Sequence, residues 1–339
     1  MENVLIFTHN DLDGIGCQIV AIRAAQDLGY TYQVYSCNYN NVDYKIQKAI
    51  NTGLKDVKMI IIADISVNKE TAQMLDTIYK SDTGIEIKLR DHHQTAEWLN
   101  YYDWAFVTEG FDGKNYCGTY LIANDFPEIL DELKIFIKCV NDWDVWTWKE
   151  EKNEYAPMLN NLLSVIGRKE FRQYILEEIY DKYSRFRIKE PKDLFTECAK
   201  NIVQAKEYML KKTANNCYKK MQTTTLNIDG YSYISGIIFV NEDISSVCDI
   251  VLNRAEKDGL DVDILIAIGL PRNISFRTNK DLEIPLGEIA SRLTGQGGGH
   301  PKSAGAVIYE STFKSTLDYF FTNLTKKSEK GVYINNIMW

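Results

Sequence analysis

The chain has 339 residues, of which 45% are hydrophobic and 25% are charged. This is the composition of an ordinary globular protein, and the length is sufficient for two domains with separate cores. The formal net charge is −8, which argues against a protein that grips a long nucleic acid through an extensive basic face, because neutralised phosphates drive such binding. No apolar run approaches the roughly 20 residues that span a bilayer, so we expect no membrane partner.

The first residues enter a predicted strand at once and lack the basic and then apolar pattern of a secretion signal. Seven cysteines are scattered without a CxxC spacing, and an odd number argues against a disulfide framework. A reducing, cytoplasmic location is therefore the expected one.

Strand and helix signals alternate through the first half of the chain. A buried strand over Val4–Phe7 is followed by a helix over Ile15–Leu28, which ends at Gly29. The alternation predicts an α/β domain with a mainly parallel sheet. The later predicted strands are Tyr32–Cys37, Met59–Ala63 and Ile85–Leu89, and the later helices are Tyr44–Asn51, Asn68–Tyr79, Cys117–Phe126 and Ile129–Val140.

The second half is predicted to hold a helical connector and then a smaller α/β domain with a mixed sheet. Strand signals are absent from residue 150 to about 220 and return at Thr223–Ile228, where Asp229-Gly230 marks a hairpin turn. We predict domain boundaries at 1–149, 150–222 and 223–326, with a tail at 327–339. The further predicted elements are strands Tyr231–Val240, Val262–Leu270, Asn273–Thr278 and Ala304–Tyr309 and helices Ser246–Lys257, Leu286–Leu293 and Thr312–Leu324.

One connector segment, Lys182–Lys189, is both basic and aromatic. A solvated helix face explains this pattern better than a contact with nucleic acid.

Acidic and imidazole side chains fall at the ends of the predicted elements. His9, Asp11 and Asp13 occupy alternate positions in the turn after the first strand, beside Gly14. In an open α/β sheet, ligands bind at the carboxyl ends of the strands. This turn is therefore a candidate metal site.

All four histidines of the chain lie in predicted loops beside acidic or glycine-rich clusters. A single histidine is as often a satisfied structural residue as a ligand, but the joint placement favours function. The histidines are His9, His92, His93 and His300.

Six side chains from four element ends form the candidate metal-binding set: His9, Asp11, Asp13, Asp64, His92 and Asp142. Carboxylates brought so close repel one another unless cations separate them. A mixed carboxylate and imidazole set suits manganese(II), while zinc, iron and cobalt are disfavoured and magnesium is a weaker match. More than four ligands predict two ions, with Asp64 as a candidate bridge.

Two of these acids have structural alternatives. Asp64 precedes a predicted helix and could be its N-cap, although Ser66 or Asn68 would serve as well. Asp142 and Asp144 lie in an aromatic corner with three tryptophans. We favour function for Asp64 and Asp142, and the two interpretations are balanced for Asp144.

A glycine run in the second half is a candidate phosphate-binding element, because bare amides approach anions closely. Ser275 and Arg277 fall on the same face of a predicted strand. The candidate substrate-binding residues are Ser275, Arg277, Gly297, Gly298, Gly299, His300 and Lys302.

These motifs, in this order, resemble the DHH phosphoesterase superfamily, which is named after the triplet seen here as Asp91-His92-His93. The resemblance covers nearly all of residues 1–148 and about 225–310, where the second half is similar to the DHH-associated C-terminal domain. It includes the acidic turn, Asp64, Asp142, Ser275-Phe276-Arg277 and Gly297-Gly298-Gly299-His300-Pro301.

The resemblance implies a phosphoesterase with a pair of manganese ions in a cleft between two domains. One ion would be held by His9, Asp11 and Asp64, and the other by Asp13, Asp64, His92 and Asp142. His93 would act in catalysis by orienting ligands or contacting the scissile phosphate, and the glycine run with His300 and Arg277 would bind the terminal phosphate or nucleotide.

The leading expectation is hydrolysis of phosphodiester bonds in short single-stranded oligonucleotides, or from the end of a single strand, as in exonucleases and oligoribonucleases. The net charge favours short substrates. Alternatives are a phosphodiesterase or phosphatase for small nucleotides, such as linear or cyclic dinucleotides or a 3′,5′-bisphosphate nucleotide, and a catalytically silent nucleotide-binding module. Inorganic pyrophosphatase activity is less expected. A homodimer is compatible with the sequence.

Overall fold

The computed structural model describes residues 2–180, 188–269, 273–294 and 297–307, and it divides the chain into two compact units, Met1–Lys206 and Glu207–Trp339. Several predictions lie outside the described residues: most of the basic and aromatic segment (182–187), the turn Pro271-Arg272, the side chain of His300, and the helix 312–324 with the tail 327–339. Within the described ranges, no helix is long and apolar enough to cross a bilayer.

The first unit is built on a parallel sheet of five strands in the order β2-β1-β3-β4-β5. This confirms the predicted α/β class. The strands are β1 (Asn3–Thr8), β2 (Thr31–Ser36), β3 (Val57–Ala63), β4 (Glu86–Asp91) and β5 (Ala105–Val107). A small hairpin of β6 (Gly110–Phe111) and β7 (Lys114–Asn115) follows.

Helices cover both faces of this sheet, so its central strands are apolar on both sides. In β1, Val4 and Ile6 pack into one apolar cluster and Leu5 and Phe7 pack into the other. The helices are α1 (Leu12–Asp27), α2 (Val42–Thr52), α3 (Lys69–Tyr79), a 3₁₀ helix (Gln94–Tyr101), α4 (Gly118–Ala123), α5 (Pro127–Glu132) and α6 (Lys134–Asp144).

Two features of this unit differ from the sequence expectation. Strands β5 to β7 were not predicted, because they have only two or three residues each and are too short for a recognisable period. The predicted helix Ile129–Val140 is two helices, α5 and α6, and α6 continues through Asp144 instead of ending at Val140. The last turn of α6 therefore includes the acids that were expected to lie in a loop.

The middle of the chain is helical, as predicted. It contains α7 (Tyr155–Ile166), α8 (Arg168–Gln173), a π-helical turn (Tyr174–Ile179), a 3₁₀ turn (Pro191–Leu194) and α9 (Glu197–Lys220). Leu159, Phe171 and Ile175 are buried in the same apolar cluster as α1. Much of the connector thus belongs to the first unit, and the division between the two units falls within α9. The domain boundaries at 149/150 and 222/223 stay predictions.

The second unit contains a mixed sheet of six strands in the order β12-β13-β11-β10-β9-β8, as the sequence predicted. The β8–β9 hairpin turns at Asp229 and Gly230, whose φ angles of 50° and 85° suit a type I′ turn. The elements are β8 (Gln222–Ile228), β9 (Tyr231–Phe239), α10 (Ile244–Lys257), β10 (Ile264–Gly269), β11 (Asn273–Arg277), α11 (Leu286–Thr294), β12 (Gly297–His300) and β13 (Ser303–Val307).

Candidate metal centre

The parallel register brings the acidic element ends to one edge of the first sheet. Thr8 of β1 is paired with Ala63 of β3, which is in turn paired with Arg90 of β4. The residues that come next in the chain, His9, Asp64 and Asp91, therefore meet at the carboxyl edge of the sheet, where ligands bind in such folds.

Asp11 is the N-cap of α1. Its Oδ1 accepts a hydrogen bond of 3.0 Å from the Gly14 amide, and its Oδ2 lies 2.9 Å from Nδ1 of His9. A Cβ on Gly14 would come within 2.1 Å of the His9 carbonyl oxygen. Glycine at position 14 thus lets the backbone of His9 lie directly against the first turn of α1.

Asp13 is buried in the first turn of α1 and is fixed by the start of α4. Its two carboxylate oxygens accept hydrogen bonds of 2.7 Å each from the amides of Gly118 and Thr119. A Cβ on Gly118 would lie 2.7 Å from Cβ of Asp64 and 3.0 Å from Oδ2 of Asp13. Two candidate ligands therefore depend on the absence of a side chain at Gly118.

Asp64 lies between the imidazoles of His9 and His92. Its Oδ2 is 3.8 Å from Nδ1 of His9, and its Oδ1 is 3.4 Å from Nε2 of His92. The residue is 2% exposed and has a φ of 55°, a left-handed conformation that is rare outside glycine and concentrates at functional sites. The N-cap of α3 is Asn68, which accepts a hydrogen bond from the Thr71 amide, so helix capping does not account for Asp64.

The carboxylate of α6 that reaches this cluster is Asp144. Its Oδ2 lies 3.5 Å from Nε2 of His92, and Oδ2 of Asp13 lies 3.8 Å from the same nitrogen.

Asp142, which the sequence favoured, has other partners. Lys138 Nζ lies 2.9 and 3.1 Å from its two carboxylate oxygens, and Nδ2 of Asn153 donates to Oδ2 at 2.8 Å. Residues two apart on a helix point in different directions. Asp142 therefore faces Lys138 while Asp144 faces His92. The extension of α6 to Asp144 thus brings Asp144, and not Asp142, close to His92.

The donor set fits divalent cations. Candidate ligand atoms lie within 4.8 Å of one another in three overlapping groups: His9, Asp11 and Asp64; Asp13, His92 and Asp144; and Asp64, Asp91, His92 and His93. Within the described ranges, the buried Oδ2 atoms of both Asp64 and Asp144 have no hydrogen-bond partner. Such buried oxygens are costly unless they are paired or coordinate a metal.

The electrostatics point in the same direction. Burial, followed by the charges of Asp13 and Asp11, raises the pKa of Asp64 and of Asp144 well above the usual value for aspartate. Without cations, the fold therefore disfavours full ionisation of these acids, and bound cations would reverse that preference.

Asp91 supports the adjacent histidine of the triplet. His93 Nδ1 lies 2.7 Å from Oδ1 of Asp91, and the Ser66 hydroxyl donates to Oδ2. Burial raises the pKa of the Asp91 carboxyl, but the hydrogen bonds from His93 and Ser66, together with the charge of His93, lower it below the usual value. Burial lowers the pKa of His93, but the hydrogen bond and charge of Asp91, with the nearby acids, raise it overall. Asp91 thus fixes the orientation of the His93 ring through Nδ1, and Nε2 points away from Asp91.

The candidate substrate-binding residues of the second unit have the following surroundings. Arg277 donates to the carbonyl oxygens of Phe276 and Ala304 and to the Ser245 hydroxyl, so part of its guanidinium serves the β11–β13 pair and α10. Lys302 is exposed and lies 2.9 Å from Asp281. Ser275 is half-buried on β11.

The glycine run forms strand β12 and not an open turn. A Cβ on Gly297 would meet the Ala290 backbone at 2.6 Å, and one on Gly299 would meet the Ser303 carbonyl oxygen at 2.5 Å. A Cβ on Gly298 would meet nothing within 4 Å. Packing therefore explains the glycines at 297 and 299 but not the one at 298.

Sequence reasoning did not identify several residues of this site. Asp144 would have been favoured if the last turn of α6 had been predicted as helix, because only one of the two acids can then face His92. The amides of Gly118 and Thr119 carry no residue-type signal, since any amide can donate. Tyr39, which contacts His93, stands in an Asn-rich turn that gave no metal or catalytic pattern.

No family model matches the chain. Oligoribonuclease NrnB of Bacillus subtilis is 27% identical over 91% of this chain and 74% of its own length. A 3′,5′-cyclic-nucleotide phosphodiesterase of Helicobacter pylori is 22% identical over 94% of this chain and 96% of its own length. The crystal structure of exonuclease RecJ bound to manganese has the same fold, with a TM-score of 0.51, 10% identity and coverage of 93% of this chain and 88% of that one.

These relatives agree with the resemblance drawn from the acidic turn, the triplet and the glycine run. The parallel first sheet and the mixed second sheet agree with the same resemblance, so the predicted similarity to the DHH phosphoesterase superfamily is confirmed.

Proposed function

We propose that the protein is a manganese-dependent hydrolase of phosphodiester bonds in short single-stranded oligonucleotides. The observation that carries this proposal is the set of overlapping donor groups around Asp64, in which the buried Oδ2 atoms of Asp64 and Asp144 have no hydrogen-bond partner among the described residues. The oligoribonuclease relative, which spans most of the chain, supports the substrate class.

We assign one ion to His9, Asp11 and Asp64, and a second ion to Asp13, Asp64, His92 and Asp144. Asp144 replaces Asp142 in this proposal, because Asp142 is already paired with Lys138 and Asn153. Mixed imidazole and carboxylate ligands favour manganese over magnesium. Two divalent cations at such a site lower the pKa of a water and offset charge on phosphoryl oxygens.

His93 is the proposed catalytic side chain. Asp91 accepts from Nδ1 and holds the ring, so that Nε2 can hold the proton that the leaving oxygen requires. Burial lowers the pKa of His93, but its hydrogen bond with Asp91 and the charge of that carboxylate raise it overall. This arrangement of a histidine held by a buried carboxylate is common where a proton is delivered in a fixed direction.

On the substrate side, Gly298 is the strongest candidate of the second unit. Its α-carbon is open, so a substrate oxygen can approach the backbone without displacing protein atoms. Ser275, Arg277, His300 and Lys302 stay in the proposal as binding residues, although part of the Arg277 guanidinium is already used within the fold.

A second candidate function is hydrolysis of a cyclic nucleotide. The phosphodiesterase relative supports it through its coverage, since the alignment extends over nearly the whole length of both chains. A silent binding module is the least favoured function, because loss of catalysis usually removes ligands and this chain retains the clustered donor groups.

The deciding experiment offers the manganese-loaded protein dinucleotides, five-mers, twenty-mers, cyclic mononucleotides and cyclic dinucleotides, with product analysis by chromatography. The proposal expects the highest kcat/KM for dinucleotides and five-mers. A preference for cyclic nucleotides would establish the second candidate, and efficient digestion of twenty-mers would contradict the preference for short chains. Binding without turnover of any of these compounds would support the silent module.

A further inference from the structure

Tyr39 occupies the loop between β2 and α2 at the edge of the sheet that carries the metal-binding candidates. The Cys37 amide donates to the Thr8 carbonyl oxygen at 2.7 Å, which ties the loop to the residue before His9. Asn38 and Asn41 close the turn through side-chain hydrogen bonds to loop amides. The loop therefore holds Tyr39 in a defined position.

The Tyr39 ring contacts imidazoles on both sides of the acidic cluster. Its centroid is 5.8 Å from that of His9 and 6.1 Å from that of His93, where the two rings are perpendicular. Its hydroxyl lies 3.4 Å from Nε2 of His93. Tyr39 thus lies against one candidate metal ligand and the proposed catalytic histidine.

Packing does not account for this side chain. Tyr39 is 55% exposed and belongs to neither apolar cluster of the first unit, whereas the neighbouring Tyr35 packs against the core. A large aromatic ring that is held beside reacting groups and left open to solvent is suited to contact a ligand.

We propose that the Tyr39 ring stacks on the nucleobase next to the scissile phosphate. This inference rests on the proposed function and adds the residue that recognises a nucleotide as such. Every base has a π-face, so stacking on a tyrosine accepts any sequence. Such a contact suits an enzyme that degrades mixed oligonucleotides, and it would not assist hydrolysis of a phosphoester without a base.

The test removes the stacking contact first from the protein and then from the substrate. Tyr39→Leu removes the ring and Tyr39→Phe removes only the hydroxyl, while five-mers with an abasic site at either terminal position remove the base. For an intact five-mer, Tyr39→Leu should raise KM by about tenfold, which is the range of one base–aromatic stack. With the matching abasic five-mer, wild type and Tyr39→Leu should differ by less than about twofold.

Tyr44→Leu is the control, because Tyr44 is 64% exposed on the following helix and carries Lys48 over its ring. It should behave as wild type on both substrates, and Tyr39→Phe should lie closer to wild type than Tyr39→Leu. An equal loss on intact and abasic substrates would overturn the stacking proposal and show that Tyr39 acts through His93. No loss on either would exclude any part for Tyr39.

Binding of the same fluorescent five-mers, measured by anisotropy, gives the comparison without turnover. If the wild type binds but hydrolyses none of them, the proposed function fails, whereas a Tyr39→Leu defect that disappears with the abasic strand still supports the stacking role. Equal binding of intact and abasic strands by wild type and Tyr39→Leu would overturn it.

Discussion

Oδ2 of Asp144 lies 3.5 Å from Nε2 of His92, and within the described part of the chain this buried oxygen has no hydrogen-bond partner. Two residues earlier, Asp142 is buried on another face of the same helix and is paired with Lys138. The two acids therefore have separable roles that substitutions can distinguish.

Asp144→Asn should weaken manganese binding by about 10–100-fold, which is the range for substitutions around metal ligands. It should leave the thermal stability of the metal-free protein unchanged or higher, because a carboxylate with a raised pKa is removed from an acidic cluster. Isothermal titration with manganese and unfolding scans measure the two effects.

Asp142→Asn is the matched comparison and should show the opposite pattern. Loss of the Lys138 ion pair should lower the free energy of unfolding by about 1–2 kcal/mol at most, because Lys138 is half exposed and solvent screens the pair. Manganese affinity should stay within about threefold of wild type. A larger loss of affinity in Asp142→Asn than in Asp144→Asn would restore Asp142 as the ligand.

The metal-free protein should depend on pH through Asp64 and Asp144. Both have a pKa in the fold that is raised above the ordinary 3.8, so the stability they contribute is complete below that value and is lost as the pH rises through the higher folded value. The Tm of metal-free Asp144→Asn should therefore exceed that of wild type by a margin that widens as the pH is raised from about 4 towards neutrality.

Manganese should cancel this trend in wild type, since binding favours the ionised acids and releases protons. A constant difference in Tm between the two metal-free proteins across this range would show that Asp144 titrates normally. The comparison requires a chelator in every sample.

Much of the fold could be predicted because its signals are local. The apolar runs at Val4–Phe7 and Met59–Ala63 fit buried parallel strands, and the Asp229-Gly230 pair marks its hairpin by residue type alone. The placement of His9, Asp64 and Asp91 at one edge then follows from the parallel register.

What could not be predicted depends on geometry over one helical turn or across the fold. The choice between Asp142 and Asp144 depends on whether α6 ends at Val140 or continues for four more residues. The amides that hold Asp13 belong to α4, which lies more than one hundred residues later in the chain. The glycine run also depends on contacts across the fold, because close packing against other elements explains Gly297 and Gly299 but not Gly298. A run read as a single motif thus contains residues with different reasons for being glycine.

Arg172, in the helical connector, should strengthen manganese binding by holding the turn that carries His9 in place. It donates at 2.6 Å to the buried Gln18, whose amide donates at 2.8 Å to the Thr8 hydroxyl, and that hydroxyl donates to the His9 carbonyl oxygen. Arg172→Met should cost about 1–3 kcal/mol because it leaves the Gln18 oxygen unpaired, and it should weaken manganese binding by about tenfold.

The control is Lys169→Met on the same short helix, where the side chain is exposed. It should change neither quantity. If Arg172→Met lowers Tm while its manganese titration and its manganese dependence of activity match wild type, the hydrogen-bond chain serves only folding.

Gly298→Ala should separate binding from packing in β12. Since a Cβ at 298 meets no atom within 4 Å, stability should not change, but KM for a five-mer should rise several-fold if the substrate approaches this backbone. Gly297→Ala should instead lower Tm, because its Cβ would collide with the Ala290 backbone. An unchanged KM in Gly298→Ala would remove this glycine from the binding site.

We propose that two divalent cations share Asp64 as a ligand. Manganese stoichiometry by titration, combined with electron paramagnetic resonance of the loaded protein, tests it most directly. We expect two ions per chain with the spectrum of a magnetically coupled pair, and we expect Asp64→Ala to lose both the coupling and the activity. Two uncoupled ions, or full occupancy and turnover in Asp64→Ala, would contradict it.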